Sequence, residues 1–97
     1  MFNPAHPSEV LREAYLDPLN MSVTEFARRI GISRKYASNY LNKHAGTSVE
    51  MAHRLAKATD TTLESWLLMQ VKHSFVAAKQ AKVSEQIYVQ RIALGHA

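Results

Sequence analysis

Between residues 22 and 42 the apolar positions recur at helical spacing and are interrupted once. Val23, Phe26, Ala27 and Ile30 fall at i, i+3, i+4 and i+7, the single apolar stripe of a short surface helix. Ser22 and Glu25 have the spacing of a capping box at its start. Gly31 stands where the chain must leave that helix, a position that often needs a left-handed backbone. Ser33 caps a second helix, in which Ala37, Tyr40 and Leu41 continue the buried stripe while Ile32 packs in from the turn. Arg34, Lys35, Ser38, Asn39, Asn42 and Lys43 point elsewhere. Two helices joined by a corner of three or four residues containing glycine form a helix-turn-helix, whose second helix docks in the major groove of DNA. The spacing alone equally describes two packed helices with a solvated polar face, so the rest of the chain must discriminate.

Proline occurs only at positions 4, 7 and 18 and glycine only at 31, 46 and 95, which predicts an all-α domain. A first helix begins around Pro7, uses Val10, Leu11, Ala14 and Tyr15, and ends at Asp17-Pro18. After Gly46, Thr47 and Glu50 form another capping box, opening a helix whose inner face is Met51, Leu55 and the alanines 52, 56 and 58. Thr61 and Glu64 make a third box. A fifth helix from about Thr62 to Lys79 buries Leu63, Trp66, Leu67, Val71 and Ala78, yet Leu68 with Phe75 and Met69 with Val76 are apolar pairs outside that face. Lys72 and Lys79 mark its one solvated strip. A helix apolar over most of its circumference is buried on more than one side, which predicts a homodimer. The tail from Val83 to Ile92 alternates Ile87, Val89 and Arg91 with Tyr88, Gln90 and Ile92, as an extended arm would. Residues 1–97 thus read as one five-helix domain with a short C-terminal arm, the helix-turn-helix at 22–42 and dimerisation at about 62–97. The predicted interface residues are Leu68, Met69, Phe75, Val76, Ile87 and Val89.

Charge favours nucleic acid. From Arg28 to Lys57 the chain carries Arg28, Arg29, Arg34, Lys35, Lys43, Arg54 and Lys57 against Glu50 alone. Residues 1–25 reverse this, with Glu9, Glu13, Asp17 and Glu25 against Arg12. A net charge of +4 segregated in this way concentrates positive potential on one part of the molecule. The 97 residues, 46% apolar, suffice for a small core that gains from oligomerisation. Cysteine is absent, so neither disulfide nor thiolate metal site is possible. No charged leader precedes an apolar core, and no apolar run approaches the roughly 20 residues that span a bilayer. The expected protein is soluble, cytoplasmic and associated with the nucleoid.

Arg34 and Lys35, at the amino end of the second helix of the motif, are placed to reach base edges, where arginine suits the two acceptors of guanine. Asn39 lies one turn further on, Ser38 can touch base or phosphate, and Tyr36 offers a ring edge to a thymine methyl or a hydroxyl to phosphate, or packs in the core or at its rim. Ser22, Thr24, Ser33, Asn42 and Lys43 sit near helix ends, placed for phosphate. Two copies related by a two-fold would read half-sites about 34 Å apart in a palindromic operator. Arg28, Arg29 and Lys57 read as general electrostatics, Arg54 also as an ion-pair partner of Glu50, and Trp66 as core with an indole nitrogen needing an acceptor. The histidines at 6, 44, 53, 73 and 96 show no metal-ligand spacing, and no phosphate loop or catalytic motif is present. No cofactor, metal or enzymatic activity is expected.

A resemblance becomes specific where four elements occur in order: His6-Pro7-Ser8-Glu9-Val10-Leu11, the helix-turn-helix, Gly46-Thr47-Ser48-Val49-Glu50-Met51-Ala52-His53-Arg54-Leu55, and Trp66-Leu67-Leu68-Met69-Gln70. Across about residues 5–76 the chain resembles the HigA antitoxins, also known as virulence-associated protein I, of the lambda-repressor-like XRE class. The resemblance implies a five-helix, usually dimeric DNA-binding fold that represses its own operon and neutralises a toxin resembling the RelE ribonucleases. Departures are Lys43 for a common glycine, Thr47 for isoleucine, Val49 for proline and Leu68 for asparagine, with His73 and Ser74 replacing an aromatic and an aspartate. A stand-alone regulator without a toxin, or a protein-interaction module using the same surface, are the alternatives. The acidic first helix, through Glu9, Glu13 and Asp17, is the expected contact for a basic toxin.

Overall fold

Short helices in a chain of this size depend on their ends, and the observed architecture is built around caps. The computed structural model describes residues 4–81 and 83–95. Its helices are α1 (Pro7–Leu11), α2 (Val23–Ile30), α3 (Arg34–Leu41), α4 (Val49–Thr59) and α5 (Leu63–Ala81), followed by the single turn α6 (Val83–Gln86). Among the described residues there is no strand.

His6 caps α1, its Nδ1 accepting from the Ser8 amide at 3.0 Å, with Pro7 in the first turn. Beyond Leu11 the chain does not continue as the regular helix that the spacing predicts. It widens into one π turn, Arg12–Leu16, closed by the Asp17 amide on the Arg12 carbonyl at 2.8 Å. A five-residue turn puts Leu16 in register with Leu11, so both are buried, whereas Ala14, expected inside, is exposed.

Ser22 accepts the Glu25 amide at 3.1 Å, which is half of the expected capping box. The Glu25 carboxylate turns forward instead, to Arg28 at 2.6 Å and Arg29 at 2.7 Å, because two cations on the next turn outbid one backbone amide. The other two boxes shift by one residue. Ser48, not Thr47, caps α4 by accepting the Met51 amide at 3.1 Å, and Thr62, not Thr61, accepts the Ser65 amide at 3.2 Å. The displaced threonines serve buried aromatics. Thr47 Oγ1 lies 2.9 Å from the Tyr40 hydroxyl, and Trp66 Nε1 donates to Thr61 Oγ1 at 2.8 Å, the acceptor that the indole requires.

Around Trp66, Tyr40, Leu11, Met51 and Leu55, α2 packs on α3 and α4, α1 on α3 and α5, and α4 on α5. Gln70 ties α5 to the α3–α4 loop through the Thr47 amide, at 2.7 Å. Only the first half of α5 is covered. Leu63, Leu67 and Met69 pack against the core, but Val71 is 62% exposed and Ala78 is also exposed, contrary to the predicted inner face. The helix outruns the short elements beneath it, and together with the exposed segment that follows it the molecule is 64 Å long and 29 by 24 Å across. Residues 87–95 follow in neither helix nor strand and lie exposed. The alternation there does not make a strand because one copy offers no partner strand.

Candidate nucleic-acid interface

The corner between α2 and α3 is set by Gly31, in the left-handed region at φ 75°, with the Gly31 and Ile32 amides both on the Ala27 carbonyl at 2.9 and 3.0 Å. A side chain 23 and 24 residues away locks it. Arg54 of α4 donates through Nη1 to the Ile30 carbonyl at 2.7 Å and the Gly31 carbonyl at 3.2 Å, neutralising the carboxyl end of α2. Its Nε lies 3.4 Å from the Glu50 carboxylate, at ion-pair distance but without hydrogen-bond alignment. Of the two sequence readings of Arg54, the partnership with Glu50 is present. The clamp on the corner was invisible to sequence reasoning, because no local periodicity links residues so far apart.

With the corner held, α3 exposes Arg34 and Lys35 and half-exposes Tyr36, Ser38 and Asn39, Tyr36 packing against the core edge. Arg34 Nε donates to Thr24 Oγ1 at 2.9 Å, joining the amino ends of α2 and α3. Ser22 and Ser33 are exposed caps whose hydroxyl oxygens accept backbone amides, which leaves each O–H free to donate. Asn42 donates to Ser38 Oγ at 3.3 Å. Lys43 is differently engaged: it occupies a left-handed position at φ 65°, which explains the glycine common in the resembling family, and its Nζ pairs with Glu9 at 2.7 Å. That contact holds the Glu9 carboxyl below its usual range. The structure therefore brings Ser22, Thr24, Ser33, Arg34 and Lys35 to one end of the motif and ties Lys43 to α1.

The basic segment is partly self-neutralised. Hydrogen bonds from Arg28 and then Arg29 hold the Glu25 carboxyl down at about 2, so that it stays charged and pairs two of the cations. Arg34, Lys35 and Lys57 make no ion pair among the described residues. Elsewhere, His6 and His73 meet edge to face at 5.1 Å, and His73 Nδ1 lies 3.2 Å from the Pro4 carbonyl oxygen. His44 and His53 are exposed, and His96 lies outside the described residues. Among the described residues no three His, Asp or Glu side chains converge on a common point. No described helix is long and apolar enough to cross a membrane. Of the predicted interface residues, Leu68, Phe75, Ile87 and Val89 are exposed, while Met69 and Val76 are half-buried.

Two capped helices crossing at a left-handed glycine, the second presenting cations and amides outward, define a helix-turn-helix protein. The profile of the Helix-turn-helix family matches residues 11–66, and the chain belongs to that family, in its XRE type. An uncharacterised HTH-type transcriptional regulator of Haemophilus influenzae is 38% identical over 71% of this chain and 64% of its own length, so the chain spans less than two thirds of that relative. Among solved structures, the antitoxin GraA superposes with a TM-score of 0.81 at 35% identity, covering 95% of this chain and 100% of GraA. Pseudomonas aeruginosa antitoxin HigA, determined with the higBA promoter, gives 0.79 at 29% identity over 86% of this chain and 90% of its own.

Proposed function

We propose that the chain binds duplex DNA sequence-specifically as a symmetric homodimer, represses its own operon and neutralises a partner toxin of the RelE-like ribonuclease kind, acting in the cytoplasm at the nucleoid. The observation that carries the DNA half is the exposed cations Arg34 and Lys35, in no ion pair among the described residues, at the amino end of a helix whose corner is clamped by Arg54. Arg34, Lys35, Ser38 and Asn39, with Tyr36 at the rim, read bases, while Ser22, Thr24, Ser33 and Asn42 hold phosphates. Lys43 joins the phosphate contacts only by releasing Glu9.

The antitoxin half is supported by the similarity to HigA and GraA, both described as antitoxins, while their promoter and operator complexes support the DNA half. Of the acidic residues first suggested for toxin contact, Glu9 is already paired, so the basic toxin is assigned to the exposed Glu13 and Asp17. A regulator without a toxin is the second reading, favoured by relatives known only as transcriptional regulators. Copurification with the product of the adjacent reading frame discriminates the two.

DNA binding is tested by titrating salt against a duplex carrying the upstream region of the gene. Log affinity falls linearly with log salt, and Arg34→Ala with Lys35→Ala weakens binding at least ~10-fold while flattening the slope. Unchanged affinity in that double variant overturns the assignment of α3.

A further inference from the structure

Thr24 is the second residue of α2 and Arg34 the first of α3, and the crossing of the motif brings their side chains together. Arg34 Nε–H donates to Thr24 Oγ1 at 2.9 Å, with both residues exposed. A guanidinium has five N–H donors, arranged along a side edge that includes Nε and an end fork formed by the two Nη groups. With Nε engaged by threonine, the end fork keeps all four of its N–H bonds for a ligand. That fork matches the O6 and N7 acceptors of guanine on its major-groove edge.

The threonine does more than occupy one donor. An arginine at an exposed helix start samples many rotamers, and ordering it on binding costs free energy that a standing hydrogen bond has already offset. A hydroxyl also holds one donor beside its acceptor lone pairs, so Thr24 can accept from Arg34 and give its own proton to a phosphate oxygen. Lys35, a point charge with no such bond among the described residues, carries no comparable directionality.

We propose that Thr24 and Arg34 form one reading unit: Thr24 is a positioning residue that aims the Arg34 fork at a guanine, and its hydroxyl proton serves the flanking phosphate, coupling register to base identity. The inference rests on the DNA-binding reading above, in which arginine suits guanine, and adds to it the side chain that supports Arg34. Lying at the rim of the motif on two short capped helices, the pair is preorganised without burial.

Selection from a randomised duplex library with the full chain, read by sequencing, tests it. The wild type enriches sites with a guanine at one position per half-site. Arg34→Ala abolishes that preference and leaves the remaining positions intact. Thr24→Val, isosteric and exposed, and Thr24→Ala as a second variant lower the preference at that same position ~5-fold or more, on the scale of a lost bidentate contact, and Thr24→Ser restores it. Thermal melting by circular dichroism verifies that each variant is folded. Full guanine preference in both non-hydroxyl variants, or a uniform loss at every position, overturns the unit. A wild type that enriches no sequence overturns the DNA-binding reading itself, and is distinguished by that absence from failure of the pair alone.

Discussion

His6 illustrates what one side chain settles. Its Nδ1 accepts from the Ser8 amide, so the proton sits on Nε2, which donates to the Ala45 carbonyl at 3.1 Å, and the ring edge meets Tyr40 and His73. Burial first, and then the neighbouring His73, push its pKa below 6.5, with Lys43 acting in the same direction and Glu9 and the Ala45 carbonyl opposing. The unfolded chain therefore binds the proton more readily than the folded one. The contribution of neutral His6 to stability is complete above pH 6.5 and is lost as pH falls through the lowered folded value. The melting temperature of the wild type is expected to drop on acidification below that point. His6→Asn, which keeps a capping acceptor but does not titrate, flattens the drop, and an unchanged profile in this variant would contradict the assignment. That His6 precedes a helix was legible from His6-Pro7. Its burial was not, because the Ala45 carbonyl and His73 ring come from elsewhere in the chain.

At the scale of elements, the corner and the π turn behave oppositely with respect to the sequence. The corner was readable because glycine, the Ser22 and Ser33 caps and the apolar stripe are all local signals. The π turn was not, since a regular 3.6-residue period places Ala14 inside and overlooks Leu16, whereas the five-residue turn reverses both. The corner also carries a sharp expectation. Gly31→Ala forces a left-handed residue at φ 75° and sets a Cβ 2.9 Å from Arg54 Nη1. It is expected to destabilise the chain by about 1–2 kcal/mol in urea unfolding and to weaken DNA binding as the Arg54 clamp shifts. Stability equal to wild type would mean that the corner tolerates a side chain and that Arg54 does not brace it.

For the whole molecule, the decisive surface is the outer face of α5. Leu68, Val71 and Phe75 fall at i, i+3 and i+7 and are 56%, 62% and 62% exposed, a continuous apolar stripe on a helix that projects from its own body. A second copy covers it in the proposed dimer, which also takes in Ile87 and Val89 of the tail, both exposed in the single copy. Phe75→Glu, which touches little of the single-copy core, is expected to convert dimer to monomer in sedimentation velocity while leaving the melting of the isolated fold intact. Operator affinity then falls, because one reading helix replaces two on paired half-sites. A Phe75→Glu chain that still sediments as a dimer would move the interface elsewhere.

What the amino-acid sequence determined by itself was whatever is encoded within a helical turn or two: the stripes of α2 and α3, the glycine corner, the outward cations, the need of Trp66 for an acceptor. Such features depend on spacing and local chemistry, which are read directly from neighbouring residues. Only the tertiary structure decided which threonines cap and which turn inward, that Arg54 reaches across to Ile30 and Gly31, that Lys43 is bound to Glu9, and that Thr24 supports Arg34. Those partners are 5 to 34 residues apart, and their meeting follows from how the helices and loops pack, a property of the whole chain that local spacing does not give.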